Sequence, residues 1–351
     1  ELHFARGYAL LQQHRAQEAI GPLMDALARQ PQHVASHVQL GNAFQLLDLH
    51  EEAMQCFGTA ALLEPDNPAY ASAALYEAMH ACRWDEVPTL RAQLDARLAK
   101  RPDIAAVPFM FLAVSASRAQ QHAVACAYTK SQFGNITPLP ARKGGDRRAA
   151  DGRIKLAYLS NDLHQHATAY LVAELFEKHD RSRFELTLYS YGIDDGSDMR
   201  RRLQRAADRF VDVSRQSDRE IAERIRADGV DILVDLKGYT RQARPAVLAY
   251  RPAPVQVNFL GYPGTMGPGL VDYLIGDPIV TPLDHAADYS EKLALMPHSY
   301  QPNDRQRRIG TRPSRAECGL PEQGFVFCCF NNAYKITPEI FAIWCRLLNA
   351  V

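Results

Sequence analysis

The sequence lacks several features that would each assign a common class of protein. No apolar run approaches the roughly 20 residues that a membrane-spanning helix needs, and no signal peptide is visible. The 40 basic and 40 acidic residues balance, which gives no reason to expect nucleic acid or an anionic membrane as a partner. Seven cysteines, an odd number without a regular framework, favour reduced thiols. We therefore expect a cytoplasmic protein.

Several sequence motifs of well-known enzymes are also missing. No G-x-G-x-x-G follows the first strand-like segment, which weighs against a dehydrogenase. No P-loop, H-E-x-x-H or C-x-x-C occurs, so P-loop chemistry and zinc hydrolysis lack support. The adjacent Cys328 and Cys329 would point to opposite faces of a strand and make poor metal ligands. The sequence predicts no metal site.

What is present begins with an internal repeat. At 351 residues the chain is long enough for two or three domains, and because it opens without Met and ends inside an apparent helix, we expect a fragment. Gly7 recurs 34 positions later as Gly41, which is the tetratricopeptide period. The other recurring pairs are Ala19 and Ala53, Ala26 and Ala60, Pro31 and Pro65, and Leu23 with Phe57.

This pattern predicts tetratricopeptide-like helical repeats over residues 1–133, with a third, degenerate helix pair over 69–100. Each repeat needs its neighbours to bury its apolar face, so a stacked core is the structural consequence. A groove that binds an extended peptide is the functional interpretation, and the repeats alone leave it open. Residues 134–152, which carry prolines, glycines and a basic cluster, are interpreted as a linker.

Strand and helix signals alternate after the linker, which predicts a parallel sheet covered on both faces. The predicted strands are Ile154–Leu159, Phe184–Tyr191, Phe210–Val213, Ile232–Leu236, Val255–Leu260 and Tyr273–Ile275. The predicted helices are 168–179, 198–207, 218–228 and 241–250. Ligands of such sheets bind beyond the carboxyl ends of the strands. The polar loops at those ends are therefore the first places to look for a site.

Two histidines occupy the loop after the first predicted strand, in Ser160-Asn161-Asp162-Leu163-His164-Gln165-His166. A histidine there could be a general base, because its pKa lies near neutrality. It could equally cap the helix that follows, and the residues alone leave both interpretations open. Three further polar segments follow strands: one contains Tyr239 and Thr240, one contains Gly264 and Thr265, and one contains Gln301 and Asn303.

A lysine marks another segment near the end of the sequence. A predicted strand, Phe325–Cys329, is followed by a polar loop that contains Asn332 and Lys335, and then by a helix-like run from Ile340 to Leu348. A helix N-terminus supplies free N–H groups and a partial positive charge, and a lysine adds a full one. This arrangement is suited to hold a phosphate group.

These segments, in this order and behind these repeats, resemble the O-linked N-acetylglucosamine transferase family, and a bacterial member in particular. The matching text is SNDLHQHATAYL, ILVDLKGYTRQARP, YRPAPVQVNFLGYPGTMG, DYLIGD, YSEKLALMPHSYQPND and FNNAYKITPE, which covers most of residues 153–339. The resemblance implies a GT-B architecture, in which two Rossmann-like lobes hold a nucleotide sugar between them. Residues 153–310 would be the first lobe and 311–351 the truncated start of the second.

The resemblance also implies roles for residues at matching positions. His166 corresponds to the family's histidine next to acceptor and sugar, proposed as a base or an orienting group, and Lys335 to the lysine that contacts the diphosphate. Asn332 stands where eukaryotic members carry Gln, and His164 has no equivalent histidine there. We predict UDP-sugar binding by Asn332, Lys335, Gly264, Thr265, Gln301 and Asn303, with His164, Tyr239 and Thr240 as secondary candidates.

The family's activity implies an inverting transfer of N-acetylglucosamine from UDP-N-acetylglucosamine to Ser or Thr hydroxyls of proteins, without metal or cofactor. Acceptor proteins would bind through the repeats and the cleft, and neither nucleic acid nor membrane would take part. We expect this chain by itself to be inactive. Two alternatives remain open: a tetratricopeptide adaptor with a degenerate, non-catalytic lobe, and a transferase that uses another acceptor.

Overall fold

The fold is described from a computed structural model of the chain. The structure describes residues 1–13, 15–101, 106–115, 117–140 and 152–351. These residues form two compact units, one of residues 1–117 with 310–351 and the other of residues 118–309, and each is described by itself. Most of the predicted linker, including its basic cluster at 142–148, lies outside the described residues.

The first unit starts with consecutive α-helices, each of which packs against the next through α6. They are α1 (Leu2–Gln12), α2 (Ala16–Arg29), α3 (Val34–Leu46), α4 (His50–Leu63), α5 (Pro68–His80), α6 (Val87–Lys100) and α7 (Pro108–Val114). The predicted helical solenoid is confirmed, including its third helix pair, which is α5 and α6.

The repeating glycines explain how the helices of each pair approach one another. A Cβ added to Gly7 would lie 2.5 Å from Cγ of Leu23, and one added to Gly41 would lie 2.9 Å from the ring of Phe57. Leu23 and Phe57 are themselves almost fully buried. Each glycine of the 34-residue period therefore makes room for the large apolar side chain of the next helix.

The second unit is built on a seven-stranded sheet in which every neighbouring pair of strands is parallel. The strands are β1 (Ile154–Ser160), β2 (Phe184–Ser190), β3 (Arg209–Asp212), β4 (Ile232–Asp235), β5 (Val255–Phe259), β6 (Tyr273–Gly276) and β7 (Lys292–Leu295). Their order is β3-β2-β1-β4-β5-β6-β7, so the chain reverses direction across the sheet between β1 and β4. Such a switch point is where ligands of open α/β sheets bind.

The helices of the second unit are α8 (Arg118–Phe133), α9 (Ala167–Lys178), α10 (Asp198–Ala206), α11 (Asp218–Asp228) and α12 (Ala246–Ala249). Leu163, Phe176 of α9, Leu203 of α10 and Leu188 of β2 belong to one fully buried apolar cluster between helices and sheet. Local signals set the ends of α11, where Ser217 and Glu220 form a capping box and Gly229 closes the helix at φ 75°.

One prediction within this unit needs correction, and one strand was missed. The helix predicted over 241–250 is reduced to the four residues of α12, because Pro245 lacks an N–H and disfavours helical backbone before it. Gln242, within the predicted helix, has a positive φ of 62°, which lies outside the right-handed helical region. Strand β7 was not predicted, since its four residues carry neither a long apolar run nor a turn signal of their own.

The predicted strand Phe325–Cys329 in the first unit is wrong. These residues belong to no helix or sheet, and Phe325 and Phe327 are exposed. A strand requires a neighbouring strand to pair its backbone groups, and none of the described residues supplies one here. The following helix is present as α13 (Pro338–Ala350). No helix among the described residues is long and apolar enough to span a bilayer.

Candidate active site at the switch point of the sheet

His166 stands where the loop after β1 enters helix α9. It is the N-cap residue of α9, with extended backbone, and its Nδ1 accepts a hydrogen bond from the Thr168 backbone N–H at 3.2 Å. Its side chain keeps 41% of its surface exposed, so the far edge of the ring is available. The sequence left open whether a histidine here caps the helix or serves chemistry, and the geometry allows His166 to do both.

A buried ion pair lies directly behind His166. Nζ of Lys237, in the loop after β4, is 2.9 Å from each carboxylate oxygen of Asp162, and the two side chains are only 7% and 5% exposed. The Thr168 hydroxyl donates to the Asp162 Oδ2 at 3.1 Å, and the same oxygen is 3.5 Å from Nδ1 of His166. Strands β1 and β4 are neighbours, which is why residues 75 positions apart meet.

Sequence reasoning did not select Asp162 or Lys237, although both lie in the polar segments that it singled out. They could have been found from the order of the strands. Parallel strands have their carboxyl ends at one edge of the sheet, so a carboxylate and an ammonium group that follow adjacent strands can become partners. Strand order was not predicted. The pairing therefore could not be anticipated from the sequence.

The surroundings of His166 favour its neutral form. Burial lowers the pKa of His166, the Asp162 carboxylate opposes that shift, and the charges of Lys237 and His164 add to it. Asp235, at the end of β4, is buried nearby and accepts a hydrogen bond from the Gly238 N–H at 2.6 Å. Burial raises the pKa of Asp235 to about 7 in spite of its backbone N–H donors.

His164 is the second histidine of the loop. Its ring centroid lies 5.7 Å from that of His166, and its Nδ1 lies 3.1 Å from the backbone carbonyl oxygen of Asn161. The Asn161 side chain in turn donates to Gln242 at 2.9 Å, which ties the loop to the segment before α12. The structure thus brings together both predicted histidines at one end of the sheet.

Tyr239 and Thr240 follow β4, but both hydroxyls are engaged inside the unit. The Tyr239 hydroxyl donates to the Met266 carbonyl oxygen at 2.7 Å and lies 2.6 Å from the hydroxyl of Thr129 on α8. Burial raises the pKa of Tyr239 above the ordinary value of a tyrosine, so its hydroxyl keeps its proton. The Thr240 hydroxyl donates to the carbonyl oxygen of Lys237 at 2.8 Å. These contacts connect the loop after β4 to its neighbours.

The glycine-rich loop after β5 is held by a carboxylate. The hydroxyl of Thr265 donates to Oε2 of Glu291 at 2.7 Å, and the backbone N–H of Met266 donates to Oε1 at 2.6 Å. Burial raises the pKa of Glu291, although these donors act in the opposite direction. A Cβ on Gly264 would lie 2.7 Å from the Tyr262 hydroxyl, so the loop is closely packed there. Glu291 was not recognised from the sequence.

Gln301 and Asn303 lie in the loop that follows β7, and both side chains are exposed. The loop is anchored around them: the Tyr300 N–H donates to Asp277 at 2.9 Å, and Asp304 forms an ion pair with Arg202 of α10 at 2.5 Å. The backbone between these anchors presents the two amide side chains to solvent.

Asn332 and Lys335 belong to the first unit, in a segment whose short 3₁₀ turn is Ala333–Lys335. Both are exposed, and Lys335 lies two residues before Thr337, whose hydroxyl accepts from the Ile340 N–H and caps α13. Between them the ring of Tyr334 lies 5.2 Å from that of Tyr76 and 4.8 Å from that of His80. The predicted lysine next to a helix N-terminus is thus present, although no strand precedes it.

Comparison with known proteins agrees with this architecture. The model of glycosyl transferase family 41 matches residues 111–311 and 302–351. The probable UDP-N-acetylglucosamine--peptide N-acetylglucosaminyltransferase SEC of Arabidopsis thaliana is 34% identical over 290 residues, which are 77% of this chain and 29% of the relative. The corresponding Caenorhabditis elegans enzyme is 41% identical over 149 residues, which are 42% of this chain and 13% of the relative.

A solved structure extends the likeness over both units. A mutant of the Thermobaculum terrenum O-GlcNAc transferase superposes with a TM-score of 0.71 at 26% sequence identity, covering 99% of this chain and 66% of that one. The chain therefore spans less than a third of the Arabidopsis relative and about two thirds of the bacterial one. Helical repeats followed by a Rossmann-like lobe and the family match lead to one conclusion: the chain belongs to glycosyl transferase family 41.

Proposed function

We propose that the protein transfers N-acetylglucosamine from UDP-N-acetylglucosamine to Ser or Thr hydroxyls of proteins, with inversion and without a metal ion. The observation that carries the proposal is the partly exposed His166 at the switch point of the sheet, whose pKa is lowered by burial, in a chain that belongs to family 41. The names of the Arabidopsis and C. elegans relatives give the donor and the peptide acceptor.

The reaction requires activation of the attacking hydroxyl. A Ser or Thr hydroxyl is a weak nucleophile and must be aligned with the anomeric carbon and lose its proton as the new bond forms. The loop after β1 carries two imidazole rings, those of His164 and His166, whose centroids are 5.7 Å apart. Its backbone is held by the buried Asp162 and Lys237, so the rings are presented from a fixed support.

The reaction also asks for stabilisation of the leaving diphosphate. Lys335 supplies a full positive charge on an exposed side chain, and the first amides of α13 follow it directly. Backbone amides at a helix N-terminus and a lysine are together a metal-free means of neutralising a phosphate group. We assign Lys335 to the diphosphate and Asn332 to the nucleotide.

The helical repeats provide the acceptor-recognition part of the proposal. Solenoids of this kind present an extended surface that suits an extended peptide segment. We infer that helices α1 to α6 steer acceptor proteins, whereas the loops of the second unit and the segment of Asn332 and Lys335 supply the chemistry. Removal of the repeats should therefore weaken transfer to folded acceptor proteins more than transfer to short peptides.

The test uses the natural full-length protein with UDP-N-acetylglucosamine and a Ser-containing peptide, and follows the peptide by mass spectrometry. We expect a mass increase of one N-acetylhexosamine, unchanged by a chelator and absent from a matched peptide in which Ala replaces Ser. UDP-glucose and UDP-N-acetylgalactosamine in parallel reactions define the donor.

Calorimetry with UDP separates the proposal from its main alternative. A transferase must bind UDP, whereas a tetratricopeptide adaptor with a degenerate lobe need not. Absence of both UDP binding and transfer would contradict the proposed function and favour the adaptor. Binding together with modification of a small molecule instead of the peptide would keep the enzyme and change its acceptor.

A further inference from the structure

The two histidines of the loop after β1 face opposite kinds of backbone group. Nδ1 of His166 faces the N–H of Thr168 at 3.2 Å, and a backbone N–H can only donate. Nδ1 of His164 faces the carbonyl oxygen of Asn161 at 3.1 Å, and a carbonyl oxygen can only accept. In a neutral imidazole one nitrogen carries the proton and the other does not, so each backbone partner selects a tautomer.

The consequence at the far nitrogen is opposite for the two rings. His166 must leave Nδ1 unprotonated to accept from Thr168, and its proton therefore resides on Nε2. His164 must carry a proton on Nδ1 to donate to Asn161, which leaves a lone pair on Nε2. One ring presents a hydrogen-bond donor and the other presents a proton acceptor, with ring centroids 5.7 Å apart.

Asp162 is the group that could reverse the tautomer of His166, because its Oδ2 lies 3.5 Å from Nδ1. That separation is at the outer limit of a hydrogen bond, and the carboxylate is already occupied. Lys237 contacts both of its oxygens at 2.9 Å, and the Thr168 hydroxyl donates to Oδ2. Lys237 therefore satisfies a carboxylate that would otherwise draw a proton onto Nδ1 of His166.

We propose, on the basis of the proposed function, that His164 is the proton acceptor of the transfer and that His166 is a hydrogen-bond donor whose tautomer Lys237 protects through Asp162. The resemblance to the family instead made His166 the candidate base or orienting group and His164 only a secondary candidate. Lys237 acts through its partner and is a positioning residue. His164 is the further residue assigned to the chemistry.

The proton and the electron pairs balance in this scheme. The acceptor oxygen forms a bond to the anomeric carbon while the bond from that carbon to the diphosphate oxygen breaks, and UDP leaves with its electron pair. The hydroxyl proton passes to Nε2 of His164. His166 keeps its own proton throughout and donates a hydrogen bond from Nε2 to an oxygen of the substrates.

The charged groups around the pair come from three loops. Asp162 belongs to the loop of the histidines, and Lys237 reaches it from the loop after β4. From the loop after β2, Asp195 accepts the Gln165 backbone N–H at 2.9 Å, between the two rings in sequence. Each histidine also faces the other, so protonation of His164 disfavours protonation of His166.

The tautomers can be read directly by nitrogen NMR of the full chain with ¹⁵N-labelled histidine. The chain has 12 histidines, so spectra of His164→Gln and His166→Gln identify the two rings by the signals that disappear. We expect the unprotonated nitrogen to be Nε2 in His164 and Nδ1 in His166 at neutral pH. Equal tautomers, or a protonated Nδ1 in neutral His166, would overturn the inference.

The role of Lys237 is tested in the same spectra. Lys237→Met should move the His166 proton to Nδ1 because Asp162 loses its cation, and the double change Asp162→Asn with Lys237→Met should restore the original tautomer. An unchanged tautomer in Lys237→Met removes Lys237 from the scheme. If Lys237→Met does not fold, two other spectra still decide the tautomer of His166. Nδ1 of His166 should be unprotonated in the wild type and should stay unprotonated in Asp162→Asn.

Kinetics of the natural full-length protein separate the two roles. We expect His164→Gln to lower kcat by about 100-fold and to remove the acidic limb of the pH profile, since general base catalysis contributes at least that much. His166→Gln should lower kcat but keep the limb, and His122→Gln, a partly exposed histidine of α8 outside the loop, should change neither.

If His166→Gln removed the acidic limb of the pH profile and His164→Gln kept it, the role of His164 would be overturned, although the transfer activity itself would still be established. A wild-type protein without transfer would instead contradict the proposed function. The NMR result would then decide the tautomers independently of that failure.

Discussion

The loop between β1 and α9 and the segment between residues 325 and 338 look alike in sequence, yet the structure treats them differently. Each reads as an apolar strand, a polar loop with a chemically active side chain, and a capped helix. In the first region, the apolar run is the central strand β1 between β2 and β4, and the loop after it contains Asp162, which forms a buried ion pair with Lys237. The second has no sheet partner in the described chain, and Phe330 is 95% exposed.

The comparison shows which features are local. Both helices begin within two residues of the predicted starts. A side chain in each loop accepts a backbone N–H of the first turn: His166 for α9 and Thr337 for α13. Strands and buried ion pairs depend on neighbours that are distant in sequence. Loss of the buried ion pair in the first region should therefore affect folding, whereas loss of the exposed Lys335 in the second should affect function alone.

The largest effect on stability is expected for Lys237→Ala. This change leaves the Asp162 carboxylate buried without its cation, and loss of one partner of a buried pair costs about 3–5 kcal/mol. Urea unfolding of the chain measures the free energy of unfolding. Asp162→Leu combined with Lys237→Met should recover most of the loss, since it removes both charges.

The matched control for the Lys237→Ala measurement is the exposed pair of Arg219 and Glu223, 2.8 Å apart on α11. Glu223→Ala should leave the free energy of unfolding almost unchanged, as is usual for surface ion pairs. If Lys237→Ala were as mild as Glu223→Ala, the loop after β1 would not depend on its buried support.

Lys335→Ala should produce the reverse pattern. Loss of one preorganised positive group at a leaving diphosphate should lower kcat by roughly 100-fold to 1,000-fold. The urea midpoint should stay unchanged because Lys335 is exposed. Lys130→Ala, at an exposed position of α8, serves as the control in the same transfer assay. Wild-type turnover in Lys335→Ala would exclude the diphosphate role.

The pH dependence of stability should reveal the buried Asp235. Its pKa is raised from 3.8 to about 7 in the folded protein, so the folded state binds more protons than the unfolded state between these values. Stability contributed by this protonation is present at low pH and is lost as the pH rises from about 4 to 7. The difference in unfolding free energy between wild type and Asp235→Asn should therefore decline over that range, and a constant difference would contradict the assignment.

The smallest effect is expected from the cap of α13. Thr337→Ala removes the acceptor for the Ile340 N–H and should weaken the first turn of the helix by about 1 kcal/mol. Hydrogen exchange of the first α13 amides measures this locally, and Thr337→Ser, which keeps the hydroxyl, is the control. Equal exchange in Thr337→Ala and wild type would show that the cap contributes nothing.

Much of the fold could be anticipated from the sequence. The pairing of Gly7 with Leu23 and of Gly41 with Phe57 follows from a period that is written in the chain, and six of the strands follow from short apolar runs between turn signals. The site was anticipated less well. Both histidines were found because they sit in a strand-end loop, but Asp162, Lys237 and Glu291 were missed because their partners lie far away in sequence.

What the sequence by itself determined is therefore local: the helical repeats, the alternation of strands and helices, the capped starts of α9 and α13, and the positions of the two histidines and of Lys335. What only the tertiary structure decided is which apolar runs become strands and which buried charged side chains become partners. The physical reason is that backbone pairing and buried charge need a partner, and the sheet order β1 next to β4 brings Lys237 to Asp162 across 75 positions of chain.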